Sequence, residues 1–329
     1  MLKVRVAGLG SCLPARVVPS SELEIELGLT EGWIMRAAGV RERRYVTTET
    51  TVGMAAEAAK KAIHHAGIDP GEIDLVIGAS ITPQQAVPCT AVFVQRALGL
   101  AETGCPCFDV NATCLSFLYA LNTAAHFLNA GDVRNVLIFS SEIQSISLNP
   151  KEPSSAVLFG DGAAAAIVSP SPDADPACLW QARFSTDSRG AEDTQYSGCG
   201  SLHPPNDPAT TKEMQMFTMN GPAVYRMVAN RVPAFVDRFF VDLGWERKSV
   251  DAVVAHQASS HGLRLLTDRL GFCREQVLTN LEIRGNCSAA SIPLLFSESV
   301  HSGRIVRGDR IILAGTGAGI SMGMIALTY

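Results

Sequence analysis

The sequence predicts an α/β protein with a largely parallel sheet, built twice from one unit, and three observations carry that reading. Short runs rich in Val and Ile alternate with segments of helical period. Two stretches recur after about 175 residues, a spacing too long for a solenoid: Ile73-Asp74-Leu75-Val76-Ile77-Gly78 resembles Val250-Asp251-Ala252-Val253-Val254-Ala255, and Arg134-Asn135-Val136-Leu137-Ile138-Phe139 resembles Asp309-Arg310-Ile311-Ile312-Leu313-Ala314. Apolar residues make up 47% of the 329-residue chain and charged residues 18%, below the roughly 25% of an average globular chain, so a large core or a large subunit interface is required. The copies join near Ser169–Asp175, where Pro170, Pro172 and Pro176 cluster, dividing the chain into halves at 1–170 and 171–329.

The elements follow in order. Met1 to Leu9 alternates, with a strand at Val4–Gly8. Thr51–Ala66 is an Ala-rich helix stopped by Gly67. Strands are expected at Leu75–Ala79 and Cys107–Val110. The clearest helix runs from Cys114 to Asn129, with Leu115, Leu118, Leu121 and Leu128 on one face and Gly131 as its stop. Val136–Phe139 and Ala163–Val168 complete the first copy. In the second, Ser185–Thr211 is dense in Ser, Asp, Gly and Pro and reads as an excursion, before strands at Ala252–Ala255, Ile311–Ala314 and Met322–Leu327.

Composition excludes several function classes. Lys and Arg total 27 against 32 Asp and Glu, without the basic excess that binding a phosphate backbone needs, so nucleic acid is not an expected partner. No apolar run approaches the ~20 residues of a membrane span, and Lys3 and Arg5 interrupt the start where a secretory signal would be apolar; a cytoplasmic protein is expected. Nine cysteines are an odd number, and Cys105 and Cys107 lack the spacing and the second pair of a zinc site. Most are expected to be core thiols in a reducing compartment. Gly8-Leu9-Gly10 lacks the third glycine of a dinucleotide fingerprint, and Pro14 follows where a helix should start.

Two residues stand where chemistry is expected. Cys114 follows the strand Cys107–Val110 and opens a helix, where free N–H groups lower a thiol's pKa; this makes it a candidate nucleophile, the alternative being a small core hydrophobe. His256 lies where a buried strand runs out, the end at which α/β sheets bind ligands, although a structural histidine would fit there too. Gly285-Asn286-Cys287-Ser288-Ala289-Ala290-Ser291 suits a tight turn, with Asn286 either a turn former or an active-site donor. Gly315-Thr316-Gly317-Ala318-Gly319 is a glycine loop between two strands.

Together with Asn111-Ala112-Thr113-Cys114, Phe159-Gly160-Asp161-Gly162-Ala163 and His256-Gln257-Ala258, these segments resemble the β-ketoacyl-ACP synthase III family. The likeness runs in order along the whole chain and includes Glu31-Gly32-Trp33-Ile34 and Gly39-Val40-Arg41-Glu42-Arg43. It implies a thiolase-like fold, a duplicated five-layer αβαβα architecture working as a homodimer. It further implies that Cys114 accepts an acyl group from a CoA or acyl-carrier-protein (ACP) thioester, and that the N–H groups of Cys114 and Gly319 form the oxyanion hole. His256 and Asn286 would then hold the malonyl-ACP or malonyl-CoA carbonyl during decarboxylative condensation. Acyl carrier protein is the implied partner, and no metal or redox cofactor is needed, because decarboxylation supplies the carbanion.

Departures from the family pattern bear on the substrate. Ala37 stands at the family's arginine position with Arg36 one residue early. Pro153 falls where an arginine stacks on the CoA adenine, and Ser259 and His261 replace an Asn and an Arg. Trp33 alone remains of the adenine clamp, which makes an ACP donor or a specialised pathway credible. Val87 occupies the place of the residue that floors the partner's acyl pocket, a phenylalanine in acetyl-selective members, so a medium-chain primer is expected. Among related chemistries, a thiolase needs a second cysteine in the last glycine loop, and Gly317 to Gly323 has none. A chalcone-type synthase shares the Cys, His and Asn set and is disfavoured by the flanking segments. An acyltransferase forming an ester or amide on the same Cys–His pair, or a silent partner subunit, are the other readings; Asn286 argues against the first and the intact triad against the second.

Overall fold

The computed structural model describes residues 1–198 and 200–329. The first half runs β1 (Val4–Cys12), β2 (Arg16–Pro19), α1 (Ser20–Glu26), α2 (Trp33–Ala38), β3 (Glu42–Tyr45), α3 (Thr51–Ala66), β4 (Leu75–Gly78), α4 (Thr90–Ala97), β5 (Cys107–Asp109), α5 (Ser116–Ala130), β6 (Val136–Glu142), α6 (Pro153–Ala156) and β7 (Gly162–Pro170). The second continues with β8 (Cys178–Gly190), β9 (Thr194–Gln195), β10 (Thr218–Met219), α7 (Gly221–Leu243), β11 (Ala252–Ala255), α8 (Ser260–Asp268), β12 (Val277–Leu278), α9 (Leu281–Arg284), α10 (Ser291–His301), β13 (Arg310–Gly317) and β14 (Gly319–Thr328).

Two five-stranded sheets form, in the orders β1-β7-β6-β4-β5 and β8-β14-β13-β11-β12. The first two pairings in each are antiparallel and the last two parallel. The duplication read from two recurring segments therefore extends to the complete strand order. The sheets are mixed rather than largely parallel, because each copy opens and closes on a strand that pairs antiparallel.

Alternation along the strands divides the core into layers. Leu75, Ile77, Val136 and Ile138 face inward with Val254, Ile311, Leu313 and Ile325 of the other sheet, and α5 and α10 fill the space between. Val76, Leu137 and Phe139 face outward against α3 and α4. Val253, Ile312, Met324 and Ala326 face outward against α7. The order helix, sheet, helix, sheet, helix is the five-layer architecture. Gly8 and Gly10 belong to it: a Cβ on either would fall 2.2 Å from a backbone oxygen of α3, so these glycines let α3 lie directly on β1 and serve no dinucleotide.

Two elements differ from expectation. Ser185–Gly190 belongs to β8, a 13-residue edge strand paired with β14, so the excursion begins only after Gly190. The 23-residue α7 has the signals of a helix: Asn220 caps it by accepting from Ala223 N, Gly244 ends it, and Val232, Phe235, Val236, Phe239 and Phe240 are its buried stripe. Pro222 sits in its first turn, where proline is tolerated. Pro233 lies inside the helix, and burying each apolar side chain contributes about 1.5–3 kcal/mol, enough together to offset one proline break of about 3 kcal/mol. Among the described cysteines none forms a disulfide; Cys105, Cys178 and Cys287 are buried, Cys273 is exposed and the others are half-buried. Cys199 lies outside the described residues.

Candidate active site

The turn between β5 and α5 carries the thiol. Thr113 has φ 53°, a left-handed conformation that costs a non-glycine residue about 1–3 kcal/mol and is concentrated at functional sites. Ser116 holds this turn by accepting from Ala112 N (3.0 Å) and donating to Thr113 O (2.6 Å). The helix starts at Ser116, two residues later than expected, so Cys114 precedes it. The expected low pKa is also not found: burial pushes the Cys114 thiol up to about 11, against the opposing hydrogen bond from Ser288. The thiol is the resting form.

Three segments converge on this turn. Ser288 Oγ lies 3.7 Å from Cys114 Sγ, in a left-handed conformation of its own (φ 50°). Its N–H donates to Asn286 Oδ1 at 2.8 Å, which orients the amide and leaves Nδ2 as its other end. Asn286 is fixed at the backbone by donating to Leu158 O (2.8 Å) and accepting from Gly160 N (3.1 Å). From the other side, a Cβ at Gly315 would fall 3.0 Å from Leu115 Cδ2 and 3.1 Å from His256 Cβ. His256 therefore packs at one glycine's width from the residue following the nucleophile. His256 is buried, its backbone N–H donates to Ala314 O at 2.8 Å, and its ring Nδ1 has no partner among the described residues. Burial drives its pKa down to about 4, so the imidazole is neutral and offers one N–H.

The final glycine loop meets the thiol turn at Gly317, where a Cβ would fall 2.3 Å from Thr113 Oγ1 and 3.5 Å from Cys114 N. Gly319 has φ 134°, and a Cβ there would meet Ser321 and Thr186. Gly317 is the residue of this loop packed against the Cys114 turn, two positions before Gly319, the glycine that the resemblance implies for the oxyanion hole.

The substrate-side residues fall into two groups. Trp33 and Arg36 lie on α2, whose closing Gly39 packs against Ser260 of α8, so the structure brings them beside Ser259 and His261. Ser259 caps α8 by accepting from Gly262 N at 3.2 Å, and Arg36 is folded back, donating to Glu31 O at 3.2 Å. Val87 is apart from these. It is 81% exposed, in the segment that follows Thr82, and touches no core of its own chain. An apolar cavity of about 90 Å³ adjoins His256, with Ala258, Gly262, Leu266, Val232 and Thr316 in its wall.

Three residues of the site carried no signal of their own in the sequence. Ser288 joins Cys114 to Asn286. Glu142 is fully buried and accepts from Ile81 N, Thr82 N and Thr82 Oγ1, and burial raises it to about 7. Gln257 is fully buried beside His256. Asp161 of the Phe159–Ala163 motif accepts from Val46 N, Gln144 N, Ser145 N and Ser145 Oγ, which makes it a structural carboxylate. No group of three or more His, Cys, Asp or Glu with metal-binding geometry occurs among the described residues.

Comparison with known proteins places this geometry. Residues 108–188 match the family described as 3-oxoacyl-(acyl-carrier-protein) synthase III, and residues 241–329 match its C-terminal counterpart. A β-ketoacyl-(acyl-carrier-protein) synthase III of Neisseria meningitidis is 33% identical over 333 residues, covering 100% of both chains. The crystal structure of 3-oxoacyl-(acyl-carrier-protein) synthase III from Aquifex aeolicus superposes with a TM-score of 0.89 at 31% identity, covering 99% of this chain and 100% of that one. The priming β-ketosynthase of the R1128 polyketide biosynthetic pathway gives 0.90 at 31% identity, covering 99% and 96%.

Proposed function

We propose, from the premise that this chain belongs to the 3-oxoacyl-(acyl-carrier-protein) synthase III family, a two-step reaction at Cys114, His256 and Asn286. The protein is a condensing enzyme of the acyltransferase class. The observation that carries the residue assignment is the convergence of distant segments on the turn that holds the thiol, through Ser288 to Asn286 at Cys114 and through Gly315 to His256 at Leu115.

In the first step the Cys114 sulfur attacks the carbonyl of an acyl thioester, the donor's C–S bond breaks, and its thiol leaves with the proton from Cys114. The Cys114 N–H and an amide of the Gly317–Gly319 loop hold the oxyanion. In the second step a malonyl thioester loses carbon dioxide. The enolate oxygen is held by one N–H from neutral His256 and one from Asn286 Nδ2, and the enolate carbon attacks the acyl-cysteine. The C–S bond to Cys114 then breaks and the departing thiolate takes a proton from solvent. The low pKa of His256 suits this role, since a neutral imidazole donates a hydrogen bond without adding a buried charge.

Acyl carrier protein is the partner we infer. With Ala37, Pro153, Ser259 and His261 at the positions where the family grips CoA, the acyl donor is a carrier-protein thioester in preference to CoA. Intact-mass analysis with a panel of acyl-ACP and acyl-CoA donors tests both points. Cys114→Ala is expected to abolish labelling. Asn286→Ala is expected to keep the acyl-enzyme and lose condensation by about 10²–10³-fold, the cost of an oxyanion donor. Normal condensation by Asn286→Ala would favour simple acyl transfer to an alcohol or amine.

A further inference from the structure

His256 and Asn286 must act on one enolate oxygen, yet they arrive from different elements. His256 follows β11, whereas Asn286 follows α9, a helix of a single turn. Such a turn has no internal stability to fix its own orientation. β12, just before it, pairs in parallel with β11 through Val277 and Leu278, and the side-chain tie between the turn and the end of β11 is Gln257. Its Oε1 accepts three hydrogen bonds from the start of α9: from Thr279 Oγ1 at 2.8 Å, Asn280 N at 3.2 Å and Leu281 N at 3.2 Å. Its Nε2 donates to Ala255 O at 2.8 Å. Every bond this fully buried amide makes therefore runs either to the strand residue before His256 or to the turn before Asn286. Glu298 of α10 braces the same turn from behind, accepting from Asn280 Nδ2 at 2.8 Å and Arg284 Nε at 2.9 Å.

We propose that Gln257 is a positioning residue of the condensation step, a cross-brace that sets the separation of the His256 and Asn286 donors. None of its hydrogen bonds runs to Cys114 or its turn. The proposal rests on the assignment of His256 and Asn286 to the enolate. An error on the order of 1 Å between two such donors costs about 10²-fold in rate, and the loss falls on condensation alone, because acylation of Cys114 uses the Cys114 N–H and the glycine loop.

The experiment compares Gln257→Met and Gln257→Glu with the native protein. It scores acyl-enzyme formation by intact mass, and condensation with malonyl-ACP by product release, across pH 5.5–8.5, a window chosen around the usual carboxyl and imidazole ranges. Gln257→Met is expected to acylate within about twofold of native and to lose condensation by about 10²-fold. Gln257→Glu keeps the three acceptor contacts but opposes a carboxylate to Ala255 O. Its condensation relative to native is expected to recover as pH falls, when the protonated acid donates to that carbonyl. Condensation within twofold of native in Gln257→Met would overturn the proposal. So would equal loss of both steps in both variants, which would make Gln257 a general stability element. Failure of the parent reading has a different signature: the native protein itself acylates and never condenses.

Discussion

The half-buried Cys114 lies between two left-handed residues, Thr113 and Ser288, and the desolvation that pushes its thiol up to about 11 leaves little thiolate at neutral pH. A thiol below its pKa gains thiolate about tenfold per pH unit. Alkylation of Cys114 by iodoacetamide, followed peptide by peptide, is therefore expected to accelerate about tenfold per unit from pH 7 to about pH 10; a rate already flat at pH 7 would show a preformed thiolate and contradict the burial argument. Cys114, His256 and Asn286, the residues proposed for catalysis, stand out in the sequence because each lies at a strand end or a small-residue turn inside a recognisable motif. Ser288 and Gln257 do not. Their roles lie in contacts with residues 174 and 22–24 positions away, and a serine and a glutamine carry no chemical signature until those contacts form. A helix dipole would lower the thiol pKa only at the first residues of a helix, whereas α5 begins at Ser116 and desolvation governs at Cys114.

At the scale of elements, strands buried on both faces were read well, because continuous apolar runs such as Ala252–Ala255 and Ala163–Val168 have one interpretation. The edge strand β8 was not, since only three of its 13 residues are buried and its polar pattern imitates a loop. Glu142 closes β6 and receives the start of the segment that follows β4, Ile81 and Thr82. Its pKa, raised from 4.5 to about 7 in the fold, means the folded state binds the proton more tightly. Stability from this group is thus fully present below the unfolded value and declines as pH rises from 4.5 to about 7, by on the order of 3 kcal/mol. Glu142→Gln removes the titration. Denaturant unfolding of both proteins at pH 5 and pH 8 is expected to show a smaller loss on going to alkaline pH in the variant, and an identical pH dependence would refute the assignment. The Ile81–Thr82 anchor also makes Glu142 the fixed end of the segment that leads to Val87.

The whole molecule repeats one strand order twice, and the site draws on both copies: the Cys114 turn comes from the first, and Ser288 with Asn286 and Gly315 with His256 from the second. With 47% apolar and 18% charged residues, the chain is expected to form a homodimer with an obligate-type interface of about 2,000 Å² or more, and sedimentation at micromolar concentration checks this. Val87, 81% exposed in the single chain, is the side chain through which such a dimer would set acyl length. If it floors the partner's acyl pocket, valine leaves the pocket deeper than a phenylalanine would. At about 0.8 kcal/mol per buried methylene, room for four more carbons favours a medium-chain primer over acetyl by about 3 kcal/mol. Native protein is therefore expected to acylate faster with hexanoyl or octanoyl donors than with acetyl. Val87→Phe should reverse that order while leaving acetyl transfer near its native rate, because the change lies at the far end of the chain from the thioester. Equal or faster native acylation by acetyl would refute the expectation. An unchanged order in Val87→Phe would place the chain-length determinant within the protomer, with the apolar cavity beside His256 as the next region to fill by substitution.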